Sequence, residues 1–346
     1  MVKGSIQAQM ATIKDVSRLA GVSIATVSRV VNNSAPVNEA TRERVYQAMQ
    51  ELGYTPNVFA QGLVTRRSNT IGLVLPGLQG AFFSRLITAI ESTLREQGIS
   101  LVVSVGNTRR DLILDAITKM RAQRCDGIML SPHCLGDDDL LSLFDSPVPL
   151  VLLNRSLPEH ADVCVSVDNR EGGRMMTDYL IRRGHRRIAC ITGPMLNMEA
   201  RHRLEGYRTA MRTAGLDINT DWIVEGNFEM QGGFEAVQTL MQRKADVTAL
   251  FIGNDQMAVG ALRAYKAAGI RIPEQISMGG FDDDLYTDLL DPALTTLHQP
   301  LEEMGQAAAH IMLHRLGLRK QPVEQTIFSP TLVERASVAA PVAETA

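Results

Sequence analysis

From Thr70 onward the chain alternates, without interruption, between short apolar runs of strand type and longer stretches of helical period. The runs are IGLVLP (71–76), ISLVVSVG (99–106), GIMLSP (127–132), PLVLLN (149–154), RRIACITG (186–193), TALFIGND (248–255) and ISMGGFDD (276–283). Between and after them lie helical patterns at 82–97, 109–124, 170–184, 199–215, 230–244, 255–269 and 301–317. A β/α cadence of this kind specifies parallel sheets covered by helices on both faces, because each parallel crossover must run over one face of its sheet. The strands are too many for one compact sheet, and the cadence restarts near Asn169. The expected fold is therefore α/β, with two doubly wound parallel-sheet subdomains. A ligand cleft is expected between them, at the carboxyl ends of the strands.

The first 67 residues follow a different rhythm. Ile13, Val16 and Ala20 form one helical stripe with Thr12 placed to cap it,. Gly21 ends that helix and Ser23 caps the next, whose inward residues are Val27, Val30 and Val31,. Asn38 caps a third helix with Val45, Ala48, Met49 and Leu52 as its buried set, and Gly53 and Pro56 stop it. Three helices around one small core fit a helix-turn-helix module. Because Val27 and Val30 point inward, Ile24, Ala25, Ser28 and Arg29 fall on the outer side of the second helix. That side suits base reading in a major groove: small apolar groups meet thymine methyls and an arginine bonds guanine O6 and N7. Thr12, Ser23, Thr26, Ser28 and Asn32 add short polar groups for phosphates,.

Charge supports this division. Residues 1–67 carry eight Lys/Arg and four Asp/Glu, a net of +4 inside a chain of net charge −3, so the remainder is −7. A basic head on an acidic body points to a head that approaches a polyanion by itself. Hydrophobic residues make up 45% and charged residues 21%, a globular balance, and no apolar run approaches the roughly 20 residues that cross a bilayer,. Residues 1–9 lack the apolar centre of a signal peptide, so a cytoplasmic protein is expected, with Met10 as an alternative start,. Cys125, Cys134, Cys164 and Cys190 form no C-x-x-C and read as reduced thiols in such a protein,.

Between head and body, PNVFAQGLVTRR (56–67) has a helix start at Pro56 and Asn57 and apolar members Val58, Ala60, Leu63 and Val64. A segment so short becomes helical only with a partner. Two copies meeting on DNA would let Leu63 wedge between base steps in the minor groove. TIKDVSRLAGVSIATVSRVVN followed by PNVFAQGL resembles the lactose/galactose-repressor (LacI/GalR) family of bacterial transcription regulators, and the resemblance extends from residue 11 to about 338. Ile24-Ala25 and FSPTLVERASV (328–338) are similar to its galactose-type branch. The resemblance implies DNA roles for Ile24, Ala25, Arg29, Asn57, Ala60 and Leu63, and a homodimer on a pseudo-palindromic double-stranded DNA operator. It also implies a periplasmic-binding-protein-like core that senses a small molecule. On this plan residues 10–55 are the DNA-binding domain and 56–67 the hinge helix. Residues 68–165 with 298–329 form the N-subdomain, and 166–297 with 330–346 the C-subdomain and tail. Gly62 departs from a good helix former in the hinge,. The tail lacks a leucine heptad, so no C-terminal helix bundle is expected.

In the core, polar residues gather where the strand pattern ends: Arg203, Asn254-Asp255 and Asp282-Asp283. Carboxylate, amide and guanidinium groups together can bond the adjacent hydroxyls of a sugar, and Phe82, Phe83 or Phe228 can cover the apolar face of its ring. By family position Arg203, Asn254 and Asp282 match effector-binding residues, with Ser131, Asn154 and Phe228 flanking them. Asp255 and Asp283 equally suit helix caps, and Arg203 a pair with Glu199 or Glu205. Asn154 stands where some sugar-binding relatives are acidic, and Val165 where the family also carries an aromatic. The expected effector is a hexose or galactoside relieving repression, with a purine or nucleoside as the alternative ligand and a sugar-binding protein without DNA regulation as a third reading. The chain has no G-x-G-x-x-G, H-E-x-x-H, G-x-S-x-G or P-loop lysine pattern, so neither an enzyme nor a metal or other cofactor is expected,.

Overall fold

The computed structural model describes residues 11–32, 35–55, 67–78 and 81–341, and the chain divides into two compact units at Asn69/Thr70. The expected hinge residues Asn57, Ala60, Gly62 and Leu63 lie outside the described residues.

The N-terminal unit contains α1 (Ile13–Ala20), α2 (Ile24–Asn32) and α3 (Glu39–Glu51). Each start has a local cause. The Thr12 N–H and hydroxyl both donate to the Asp15 carboxylate, at 3.0 and 2.6 Å. The Ser23 hydroxyl accepts from the Thr26 N–H at 3.1 Å, and Asn38 accepts from the Thr41 N–H at 3.2 Å,. Gly21 takes φ +64°, which only glycine adopts cheaply, and turns α1 into α2,. Val16, Ala20, Val27, Val30, Val45 and Ala48 are buried together, with Ile13, Val22, Met49 and Leu52 packed around them.

The second unit holds two parallel sheets. The first runs in the order β11-β5-β4-β3-β1-β2, from β1 (Thr70–Leu75), β2 (Ser100–Val105), β3 (Gly127–Leu130), β4 (Leu150–Leu153), β5 (Cys164–Val167) and β11 (Ile327–Phe328). The second runs β7-β6-β8-β9, from β6 (Ile188–Thr192), β7 (Ile223–Glu225), β8 (Ala249–Ile252) and β9 (Ser277–Gly279). Antiparallel β10 (Thr296–His298) and β12 (Thr331–Val333) join the return segments. Helices α4 (Ala81–Arg95), α5 (Arg110–Ala122), α6 (Asp137–Phe144) and α11 (Leu301–Arg315) accompany the first sheet; α7 (Asn169–Arg182), α8 (Met198–Thr213), α9 (Met230–Gln242) and α10 (Asp255–Ala267) accompany the second. All seven strand runs read from the sequence are strands. The short elements α6, β5, β7 and β10 to β12 were not read from the sequence. β2 lies at an edge of the first sheet, with Val102 and Val103 partly exposed.

Glycines set how closely the helices of the second sheet approach. A methyl on Gly173 of α7 would overlap the Arg203 carbonyl of α8, and one on Gly206 would overlap the Arg170 carbonyl. Gly233 of α9 and Gly260 of α10 meet the Met257 and Met230 carbonyls in the same way. Backbone-to-backbone contact of this kind leaves no flexible atom to yield, so the α7/α8 crossing fixes where Arg203 stands. Gly173→Ala should therefore destabilise the protein by about 1–3 kcal/mol or more through overpacking. Thermal unfolding reads the loss; an unchanged melting temperature would show that the crossing does not depend on this approach.

Candidate functional site

On the head, the structure places the DNA-facing candidates as an exposed set. Ile24 is 43% exposed, Ala25 and Arg29 are exposed, and Ser28 and Thr26 are half-buried beside the buried Val27 and Val30. Ile24 stands exposed on a nine-residue helix whose Val27 and Val30 are buried, so its side chain is accessible to a partner. The hydroxyls expected to meet phosphates are partly committed: Thr12 to Asp15, and Ser23 to Thr26 at 2.9 Å between their oxygens. The Asn32 side chain lies outside the described residues.

In the core, strand ends from both sheets surround a cavity of about 770 Å³. Seven of the eight effector candidates line it: Phe82, Phe83, Asn154, Arg203, Phe228, Asn254 and Asp282. Ser131 does not. It is fully buried one residue beyond β3, its hydroxyl 3.5 Å from His133 Nδ1, and His133 is the residue that reaches the cavity. Val165 is likewise buried in β5, and Val167, two residues on along the same face, lines the cavity,.

Arg203 is the centre of this site. It projects from α8 and is 7% exposed. Its Nε donates to Asn169 Oδ1 at 2.8 Å and its Nη1 to the Gly253 carbonyl; Asp282 Oδ1 is 3.7 Å from Nη1. Its guanidinium carbon lies 3.6 Å from the centre of the Phe281 ring and 5.8 Å from that of Phe228,. The expected alternative partners are taken elsewhere, Glu205 by Arg170 and Glu199 by His133. The cap alternatives also fail. Asn254, not Asp255, caps α10, accepting from the Met257 N–H at 3.0 Å while donating to the Phe228 carbonyl at 2.9 Å. Asp283 is held by Arg335 at 2.7 Å and His298 at 3.0 Å.

The backbone around the cavity is unusual. Asn107, Thr108, Asn154, Phe228 and Asp282 all line it and all have positive φ, from +48° to +123°. Left-handed backbone in non-glycine residues costs free energy and concentrates where side chains must be aimed. Phe228 shows the purpose. Its ring lies flat over Gly193, where any Cβ would overlap it.

Sequence reading missed several lining residues. Gln299 donates to Asp282 Oδ1 at 2.6 Å and leaves its own Oε1 buried without a hydrogen-bond partner among the described residues. His133, after β3, forms an ion pair with Glu199 of α8 at 3.2 Å, tying the strand end of one sheet to a helix of the other. A strand-end histidine has no periodic signal, and its partner lies 66 positions away in the chain.

Electrostatics follow from burial. Burial opposes a charge on His133, but the Glu199 carboxylate outweighs it and raises the His133 pKa,. The same contact holds Glu199 below its ordinary value, again against burial. For Asp282, burial dominates over the opposing Arg203 and Gln299 and pushes the pKa up to about 6. Asp255 is raised as well, by burial and then by the charge of Asp282. Raised folded-state values give stabilisation that is full below the unfolded pKa and is lost as pH rises through the folded value. His133 and Asp282 therefore act with the same sign, Asp282 mainly below pH 6 and His133 above the ordinary histidine value, while His185, His202 and His310, lowered by burial, act in the opposite sense,. His133 thus adds a falling component to the slope of stability between pH 6 and 8,. His133→Gln should remove that component, and at pH 6 it should cost about 3–5 kcal/mol by leaving Glu199 unpaired. Thermal unfolding across this pH range is the measurement, and an identical slope in the variant would remove His133 from the account.

Comparison with known proteins agrees with both halves of this description. Residues 12–57 match the family model "Bacterial regulatory proteins, lacI family", and residues 177–338 match "Periplasmic binding protein-like domain". The chain is 37% identical over 331 residues to the ribose operon repressor of Escherichia coli K12, covering 95% of this chain and 100% of the relative. It is 39% identical over 332 residues to the HTH-type transcriptional regulator GalS of Salmonella typhimurium LT2, covering 95% and 97%. Its fold is similar to the crystal structure of the lac repressor dimer bound to operator and the anti-inducer ONPF, with TM-score 0.87 and 30% identity over 96% of this chain and 100% of the other. With a helix-turn-helix head and a two-sheet core around a polar cavity, the chain belongs to the LacI family of bacterial regulatory proteins.

Proposed function

We propose that this protein is a cytoplasmic repressor that binds a pseudo-palindromic operator as a homodimer and releases it when a sugar occupies the core cavity. The observation that carries this reading is one polypeptide bearing two things: a head helix with Ile24, Ala25 and Arg29 held out, and a cavity where Arg203 and Asp282 stand beside Phe228. Ile24 and Ala25 contact thymine methyls, and Arg29 bonds a guanine edge. Thr12, Ser23, Thr26, Ser28 and Asn32 serve phosphates, while Asn57, Ala60 and Leu63 act from the hinge in the minor groove.

In the cavity, paired donors and acceptors read adjacent hydroxyls. Arg203 is a donor, Asp282 an acceptor, and Asn154 and Asn254 offer both. Phe82 and Phe83, edge to face with centres 5.1 Å apart, and Phe228 supply apolar surface for a ring face,. Ser131 supports His133 from beneath instead of meeting the effector. Residues 68–165 with 298–329 and 166–297 with 330–346 act as the two lobes around the ligand, with β5 pairing into the first sheet up to Val167. Among the described residues no helix is long and apolar enough to cross a membrane.

Coupling needs only that the sugar binds the DNA-incompetent state more tightly, since a ligand indifferent to the two states shifts neither. The test is binding of purified protein to operator fragments across a salt series, with and without sugars. Salt-sensitive binding weakened by a sugar is expected; binding strengthened by a nucleobase would replace induction by corepression. Arg29→Ala should weaken operator binding by about 1–3 kcal/mol and relax preference at one base pair per half-site, whereas a uniform loss on all sequences would assign Arg29 to the phosphates.

A further inference from the structure

The cavity has an electrostatic character that the sugar reading leaves open. Its described lining contains four carboxylates, Glu199, Glu229, Asp282 and Asp284, against one arginine and one histidine, and no lysine. Both cations are already engaged, Arg203 with Asn169, the Gly253 carbonyl and Asp282, and His133 with Glu199. The nearest arginines in sequence to the lining residues Asn107 and Thr108 are Arg109 and Arg110. They do not line the cavity, and they are paired with Asp111 and Asp139.

Helix N-termini are the other usual anion holders, since their unpaired N–H groups and dipole favour negative charge. Four helices of the second sheet begin at this cavity, and each already has a carboxylate in that place. Asp168 caps α7, Glu199 lies in the first turn of α8, Glu229 occupies the cap position of α9, and Asp255 lies in the first turn of α10. At α7 and α10 a side-chain oxygen also takes an end N–H directly, from Asp168 to the Glu171 N–H at 2.9 Å and from Asn254 to the Met257 N–H at 3.0 Å. On the first sheet, α4 opens instead with Phe82 and Phe83.

We infer that the cavity selects an uncharged polyhydroxyl effector and rejects its phosphate monoester. A dianion entering here would meet no uncommitted cation among the described lining residues and would face the lining carboxylates Glu199, Glu229, Asp282 and Asp284. Neutral hydroxyls suit the same groups, because they donate to Asp282 and to the orphan Gln299 Oε1 while accepting from Arg203,. The inference rests on the sugar reading of the preceding section and specifies which sugars it admits.

The test is calorimetric titration of the full-length protein with matched pairs: galactose and galactose 1-phosphate, ribose and ribose 5-phosphate, fructose and fructose 1-phosphate, with adenine and guanine alongside. For any pair that binds, the free sugar should bind at least about thirty-fold more tightly than its ester, the scale of one uncompensated repulsion in a partly dry site. An ester that binds as tightly as its free sugar overturns the inference and leaves the sugar reading standing. Binding of a nucleobase with no sugar in either form overturns the sugar reading, and the inference with it. Glu229 is exposed and therefore tolerant, so Glu229→Gln supplies a second readout: the sugar-to-ester ratio should narrow at least about threefold as one charge at the α9 start is removed,. An unchanged ratio counts against the electrostatic cause.

Discussion

The buried guanidinium of Arg203 is the contact around which the core site is organised. A charge removed from water is tolerable only when its donors are matched and its charge is balanced, and here those needs draw on separate parts of the chain. Asn169 opens α7, Gly253 follows β8, and Phe281 and Asp282 follow β9. Each must stand at its own strand or helix end for the arginine to be satisfied. The parallel sheet provides this, because all its strands end on the same side.

Close helix packing makes that arrangement stiff. Gly173 and Gly206 let α7 and α8 touch backbone to backbone, which leaves Arg203 little freedom along the helix. Left-handed backbone at Asn107, Thr108, Asn154, Phe228 and Asp282 then turns side chains at the strand ends toward the cavity. These conformations are costly locally, and they persist because buried sheet and helix contacts on either side determine them. The His133–Glu199 pair adds one charged contact between the two sheets' elements at the same cavity.

The head obeys a simpler logic. Its core is small, so it depends on caps at Asn38 and Ser23 and on a glycine turn at Gly21 as much as on buried area,. A short helix that buries Val27 and Val30 must present its other side outward, and there the apolar Ile24 and Ala25 stand with a single charged residue, Arg29. That choice is unfavourable for a solvated surface and favourable for a groove.

The strand and helix cadence, the helix caps of the head and the outward set Ile24, Ala25 and Arg29 were determined by the sequence alone, because each rests on contacts a few residues apart with a fixed period. Asn254 and Asp282 were legible because polar residues at strand ends have one place to go in a parallel sheet, whereas Arg203 stands within α8, and the family resemblance named all three. Tertiary structure alone decided that Ser131 is buried while His133 is displayed, that Val167 and not Val165 reaches the cavity, that β2 is an edge, and that Gln299 meets Asp282. Each of these depends on pairing between segments distant along the chain. Local propensity carries no record of which distant segment a residue will meet, and burial, charge and hydrogen bonding at the site are set by that meeting.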